Sequence, residues 1–216
     1  MSEKRLSPLG KSMGRQMIKS WEAPQFTHFS EIDCESMIEY RKKLPVKVSY
    51  TTILIKAVTD TIAEYPMMNA SWDDGTKLIL HEKVHMGVAV DTKRGLLVPV
   101  IHNADDLTIE EVHEEMEKIK QKSQKGNFTM EELSGGTFVV SNLGMFNIHA
   151  FTAIVNAPNG AIISVGKMEE IPMVKEGRIV AGKRMTIALN MDHRVIDGAT
   201  GAKFLTALAE RLETLG

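Results

Sequence analysis

Between Leu133 and Gly166 the chain runs for 34 residues without a single Asp, Glu, Lys or Arg. Charged residues make up 25% of the sequence, so a gap of that length does not fit an ordinary solvated surface. Ser, Asn, Gly and Pro recur throughout it, which excludes a bilayer-spanning helix. What remains is a segment buried on both sides, by the core or by another subunit. The chain around it is 43% hydrophobic, the composition of a folded globular protein and not of a disordered one. Its 216 residues are enough for one large domain with its own core.

Charge sets the next limit. Lys and Arg total 26 against 28 Asp and Glu, a net charge of −2, so there is no overall electrostatic case for nucleic acid or an anionic membrane as partner. The single cysteine, Cys34, excludes an intrachain disulfide and fits a reducing compartment. Aromatics are sparse at 6% while Met reaches 14 residues, which points to an aliphatic and Met-rich core. Met1 to Ser20 carries five basic residues but no apolar central run and no cleavage site, so it is not a signal peptide. It reads as a basic helix with Leu6, Leu9, Met13, Met17 and Trp21 on one stripe. The expected location is the cytoplasm.

No Gly/Ser/Pro-rich linker or internal repeat divides the chain, so residues 1–216 read as one domain. The pattern predicts helices over about 8–21, 34–43 and 50–65, the last ending where Tyr65 meets Pro66. An extended piece covers Gln25 to Asp33. Ala70 to Leu80 reads as a hairpin turning at Asp74-Gly75. Strands are expected at Val84–Val90 and Leu96–Ile101, then a helix opened by Thr108 with Glu111 three residues on, a capping-box pattern. This helix is acidic, and a solvated face is the plain reading. Strands follow at Thr137–Ser141, Ala161–Val165, Ile171–Lys175 and Met185–Met191. A last helix runs from Ala199 to Thr214 with Ala202, Leu205, Leu208, Ala209, Leu212 and Leu215 on one face. Strands and helices are interspersed without strict alternation, as in a mixed sheet covered by helices.

Several attractive motifs fail on their spacing. Gly160 to Lys167 resembles a phosphate loop, but five residues separate the glycines and Met168 follows the lysine, where the loop needs four residues and a hydroxyl. His81 and His85 are four apart, a zinc-helix spacing, yet the context is strand-like. A metal pair on one strand face is conceivable there, with solvated or core histidines the plainer reading. No Gly-x-Ser-x-Gly elbow occurs.

One cluster is different. Asp192-His193-Arg194-Val195-Ile196-Asp197-Gly198 sits where an apolar strand gives way to the last helix, a junction at which an open sheet presents side chains to a ligand. An imidazole titrates near neutral pH and suits proton transfer. By itself His193 reads equally as structural or catalytic.

His193-x-x-x-Asp197-Gly198, within Asp192 to Ala199, resembles the signature of the catalytic domain of dihydrolipoamide acyltransferases, the acyl-transfer components of 2-oxo acid dehydrogenase complexes. Three further segments resemble that family in the right order: Gly95-Leu96-Leu97-Val98-Pro99-Val100-Ile101, Gly135-Gly136-Thr137-Phe138 through Ser141-Asn142-Leu143-Gly144, and Asn156-Ala157-Pro158. The similarity runs from about Leu6 to Leu215. It implies an α/β fold like that of chloramphenicol acetyltransferase, a two-layer sandwich of a mixed β-sheet covered by helices.

The resemblance also implies two thiol substrates, dihydrolipoamide on a separate carrier domain and coenzyme A, with no metal. It implies a homotrimer whose site lies between neighbouring subunits, working with a lipoyl carrier and other dehydrogenase components. Carried over by position, His193 is the general base for the attacking thiol, and Ser141 donates a hydrogen bond to the tetrahedral oxyanion. The alternative for Ser141 is a strand-end serine bonded to backbone. Asp197 would support the imidazole's surroundings by pairing with Arg15, although both could instead be solvated. Arg41, Ser49, Asp91, Asn142 and Gly166 fall at coenzyme-A-binding positions. Arg41 suits phosphate and otherwise reads as a surface residue in a Lys/Arg run.

Three departures from the family stand out. No lipoyl or subunit-binding domain is recognisable, which leaves an excised domain or a free-standing acyltransferase, and the opening Met1-Ser2-Glu3 leans toward the second. Asn190 and Met191 precede Asp192, where a small residue or serine is more usual, which would alter the acyl pocket. The chain stops at Leu215-Gly216, short of the family's apolar tail, so a trimer is expected and not a cage. Two competing functions remain: a non-catalytic trimeric scaffold, and a coenzyme-A-dependent O- or N-acyltransferase. The second usually has another histidine where Asp192 stands.

Overall fold

The computed structural model describes residues 3, 5–73 and 75–216. In chain order the elements are α1 (Pro8–Trp21), β1 (Gln25–Asp33), α2 (Glu35–Lys43), α3 (Tyr50–Glu64), β2 (Ala70–Asp73), β3 (Lys77–Leu80), β4 (Met86–Thr92), β5 (Gly95–Leu97) and β6 (Val100–Ile101). They continue with α4 (Ile109–Lys125), β7 (Phe138–Asn142), β8 (Ala161–Val165), β9 (Glu169–Lys175), β10 (Arg178–Asp192) and α5 (Gly198–Glu213). The main sheet is ordered β1-β10-β8-β7-β4-β5, with β6 also on β4 and β9 also on β10. It is mixed: β4, β7 and β8 run parallel, while β10 is antiparallel to β8 and β1. Helices α2 to α5 pack on one another, and α4 and α5 also on strands, burying Ile32, Met86, Phe138, Val140, Ile163, Ile187 and Leu189. This is the expected two-layer sandwich.

Every residue of β8 is buried. Alternation along β7 sends Phe138 and Val140 to the helical layer and Val139 to the opposite face, where it meets Ile162 and Val155. The uncharged stretch is therefore doubly covered only at its two strands. Between them Met145 and Phe146 stand exposed, so that loop is not enclosed by its own chain.

Local chemistry explains the element ends. Thr108 and Glu111 form the expected capping box, each side chain taking the other's backbone N–H at 3.2 and 2.8 Å. Gly126 closes α4 at φ +67°, a left-handed position that glycine occupies without a Cβ clash. The β9–β10 turn places Glu176 and Gly177 both at positive φ, the two-residue geometry that matches strand twist.

Three expectations change. The single strand predicted over Leu96–Ile101 is broken at Val98-Pro99, because Pro99 has no N–H to give to the ladder; its carbonyl still accepts from Val88 N at 2.8 Å. The strand predicted over Met185–Met191 begins seven residues earlier, at Arg178, in a largely exposed arm that pairs with β9. On α5 the buried positions are Gly201, Phe204, Leu205, Leu208 and Leu212, and Ala202 is exposed. The predicted hairpin forms as β2–β3, with Gly75 at φ +81°; Asp74 lies outside the described residues. Cys34 is buried, and burial with the nearby Asp33 charge pushes its thiol up to about 12.

Candidate active site

His193 follows the last residue of β10. Its N–H donates to Pro24 O at 2.8 Å, and its ring lies against Phe26 with centroids 4.8 Å apart. The side chain is exposed. Four residues on, Asp197 is the N-cap of α5: its carboxylate accepts from Thr200 N at 2.8 Å and Thr200 Oγ1 at 3.0 Å. Those two bonds, with the Ala199 amide and the neighbouring His193, hold the carboxyl below its usual range. Arg15 is exposed on α1, and no ion pair joins it to Asp197 among the described residues. Within one chain, then, the expected pair does not form, because the cap satisfies the carboxylate locally.

Ser141 is half-buried near the end of β7, opposite Ser164 of β8, which in turn faces Ala188 of β10. His193 lies five residues beyond Ala188 and two strands across from β7. At about 3.3 Å per residue and about 4.8 Å between strands, the two residues stand roughly 19 Å apart. One imidazole and one hydroxyl so separated do not meet at one carbonyl carbon.

Asn142, the next residue, turns to the helical layer and donates to Thr51 Oγ1 at 2.9 Å. Here the end of the sheet and the start of α3 enclose a cavity of about 290 Å³, lined among others by Tyr50, Leu54, Asn142, Gly166, Met168 and Met185. Gly166 is required: a Cβ there would sit 1.8 Å from His149 O. Beside the cavity, Arg41 stacks on Tyr50 at 4.7 Å and donates to Val48 O at 2.6 Å. Arg41, Lys42, Lys47 and Tyr50 line a second depression. Ser49 caps α3 through Thr52 N at 3.0 Å. Asp91 is exposed on β4, at the same end of the sheet as Asn142 by the Ala89–Ser141 register. The fold thus gathers Arg41, Ser49, Asn142 and Gly166 around adjoining depressions and leaves His193 and Asp197 at the opposite end.

Sequence reasoning missed Thr51, Met168 and Met185, whose only signal is that α3 and the sheet end converge. The histidine spacing carries no metal site. His81-Glu82-Lys83-Val84-His85 matches a zinc-helix pattern in letters, Glu82 included, but these residues form no helix. His81 Nε2 lies 2.8 Å from Ser71 Oγ, and His85 Nδ1 accepts from Asn103 N at 3.1 Å. Burial first of all lowers the pKa of both, His102 adding to it at His85. Among the described residues no group of three or more His, Cys, Asp or Glu could hold a metal, and no helix is long and apolar enough to cross a membrane.

The family model for the 2-oxoacid dehydrogenases acyltransferase (catalytic domain) matches residues 1–216. The chain belongs to this acyltransferase family. Among relatives of the acyltransferase domain is the dihydrolipoyllysine-residue acetyltransferase component of the Staphylococcus epidermidis pyruvate dehydrogenase complex, 34% identical over 206 residues. That match takes in 91% of this chain and 48% of the relative, so the chain spans about half the length of the curated relatives it matches. The dihydrolipoamide acetyltransferase structure from Azotobacter vinelandii is 32% identical with a TM-score of 0.92, over 100% of this chain and 92% of that one. A truncated catalytic core of the 2-oxoacid dehydrogenase multienzyme complex from Thermoplasma acidophilum is 30% identical, with a TM-score of 0.89 and full coverage of both chains. Chloramphenicol acetyltransferase shares the acyltransferase fold at 15% identity and a TM-score of 0.59. In the Azotobacter protein a serine, a histidine and an asparagine have been investigated for roles in the catalytic mechanism, the histidine 52 positions after the serine and the asparagine four after the histidine. Ser141, His193 and Asp197 carry the same two spacings here.

Proposed function

We propose that this chain moves an acyl group between the thiols of dihydrolipoamide and coenzyme A. The observation that carries the reading is the pair of spacings, 52 and four, at which Ser141, His193 and Asp197 stand where the Azotobacter dihydrolipoamide acetyltransferase has serine, histidine and asparagine, set here at the two ends of one sheet. His193 takes the proton from the attacking thiol, which at its ordinary pKa near 8.5 is mostly protonated at neutral pH. The resulting thiolate adds to the thioester carbonyl, and Ser141 Oγ donates to the oxyanion that forms. Collapse breaks the other carbon–sulfur bond, and the departing thiolate recovers the proton from the imidazolium. Asp197 holds the start of α5 beneath the imidazole.

The cavity between α3 and the sheet end suits a pantetheine arm. It is largely apolar, with Asn142 for orientation, and Arg41 with Lys42 and Lys47 alongside for phosphate. Ser49, Asp91 and Gly166 complete this coenzyme A side.

Because Ser141 and His193 of one chain are roughly 19 Å apart by strand geometry, the reaction needs a second copy. A homotrimer supplies it, each site taking Ser141 from one subunit and His193 from the next, in a ring closed at three. The lipoyl carrier and the other dehydrogenase components are the proposed partners. Acyl exchange between acetyl-coenzyme A and free dihydrolipoamide tests the activity. His193→Ala should remain folded and lose about 10²–10⁴-fold in turnover; comparable turnover in the folded variant would remove the mechanism.

A further inference from the structure

The residues on either side of His193 form a closed unit. Asp192 is 2% exposed, and its carboxylate takes four contacts, all from Arg194: the backbone N–H at 2.9 Å, Nε at 3.0 and 3.2 Å, and Nη2 at 2.7 Å. The backbone of residue 193 is therefore the middle of a loop that its two neighbours close. Its outer attachments are equally fixed. Asp192 N donates to Gly160 O at 2.9 Å, and Asp192 O accepts from Val195 N and Ile196 N at 3.0 Å each.

The fork of Arg194 does not end in solvent. Its guanidinium lies over the ring of Trp72, 4.8 Å from the centroid, a cation–π geometry. Trp72 belongs to the small β2–β3 hairpin, outside the main sheet. Its N–H donates to Pro158 O at 2.9 Å, and Ser71 bridges to Asn159. The hairpin is thereby pinned to the loop that enters β8, next to Gly160, the acceptor of Asp192 N.

We propose that Trp72, acting through the Arg194–Asp192 ion pair, is a positioning residue for His193. This rests on the reading of His193 as the general base. Trp72 touches no reacting atom. It holds the planar fork in the one orientation that bonds both carboxylate oxygens, and the closed loop aims the exposed imidazole toward the neighbouring subunit's half of the site. Misplacement of a catalytic group by about 1 Å costs up to about 10²-fold in rate, so the effect falls on turnover and not on coenzyme A binding, since neither Trp72 nor Arg194 lines the depressions assigned to it.

The test uses the full chain in the acyl-exchange assay, with substrate concentrations varied. Trp72→Leu should lower kcat by about 10- to 100-fold with KM for coenzyme A unchanged. Trp72→Phe, which keeps an aromatic face, should restore most of it. Arg194→Lys keeps the charge but lacks the fork and should behave like Trp72→Leu. Wild-type kcat in Trp72→Leu, alongside an inactive His193→Ala, overturns the positioning role and leaves the base. Wild-type turnover in His193→Ala overturns both. A loss equal in Trp72→Leu and Trp72→Phe, matched by a loss of folded protein in circular dichroism, marks a purely structural role and also overturns the proposal.

Discussion

Ser141 occupies a half-buried strand position beside Ser164 of β8, with Val139 and Ile162 next along the same face, so its hydroxyl is a polar group in a partly dehydrated setting. A donor there gains strength when negative charge develops on an adjacent oxygen. Ser141→Ala is expected to lower turnover by about 10²–10³, or about 2.7–4 kcal/mol of transition-state stabilisation. The same experiment separates donor from nucleophile: intact-mass analysis after incubation with acetyl-coenzyme A should show no acyl adduct on Ser141, and an adduct would reverse the assigned role. Asp197 and His193 divide their work differently. Asp197 spends both carboxylate oxygens on Thr200, so its contribution passes through the helix start. Asn and Asp are equivalent caps; Asp197→Asn should therefore preserve the cap that Asp197→Ala removes.

One turn closely constrains the cavity between α3 and the sheet end. The turn after β8 passes so close to residue 149 that Gly166 has no room for a side chain. With the His149 carbonyl 1.8 Å from where a Cβ would lie, Gly166→Ala must move backbone. Overpacking of this kind costs about 1–3 kcal/mol, which a urea titration would register as a lower midpoint, together with a raised KM for coenzyme A. A wild-type midpoint would show that the loop yields freely. On the far side, α4 is tied to the following turn by Glu132, which pairs with Lys122 and accepts from Thr129 N at 2.9 Å. The Lys122 contact and the Thr129 amide hold this carboxyl below its ordinary 4.5. A lowered folded-state pKa means that its stabilising contribution is complete above 4.5 and is lost as pH falls through the lower folded value. Glu132→Gln should therefore lose stability relative to wild type near neutral pH and converge with it in acid. Parallel curves from neutral to acid pH would exclude that linkage.

Over the whole molecule, the sheet face away from α2 to α5 is covered in part by the segment carrying Ala153 and Val155, and Met145, Phe146, Leu6, Ile18 and Trp21 stand exposed. A chain with this much unpaired apolar surface and a divided site fits a ring of copies. The decisive mixture contains two inactive variants. His193→Ala and Ser141→Ala chains, unfolded and refolded together at equal amounts, should regain roughly a quarter of wild-type activity, the share of interfaces that join an intact serine to an intact histidine in a closed ring. Each variant refolded alone should stay at its own low level, and sedimentation should give the mass of three chains. A mixture no better than its components, or a stable active monomer, would sink the shared site.

The amino-acid order alone determined the helices with strong caps or periodicity, such as Thr108–Glu111 and the α5 stripe, and the buried strand Ala161–Val165. Resemblance to family segments also marked Ser141, His193 and Asp197, where the residues alone left His193 equally structural or catalytic. Only the tertiary structure decided what depends on distant segments meeting. The exposed arm Arg178–Arg184 is a strand because β9 pairs with it. Thr51 lines the cavity at the sheet end because α3 begins against Asn142, 91 residues away. Asp197 turns to Thr200 and not to Arg15 because a cap three residues away is closer than a helix at the other end of the chain. The same register places Ser141 and His193 on separate ends of the sheet, a separation that no spacing along the sequence encodes, since it is the product of strand order and direction.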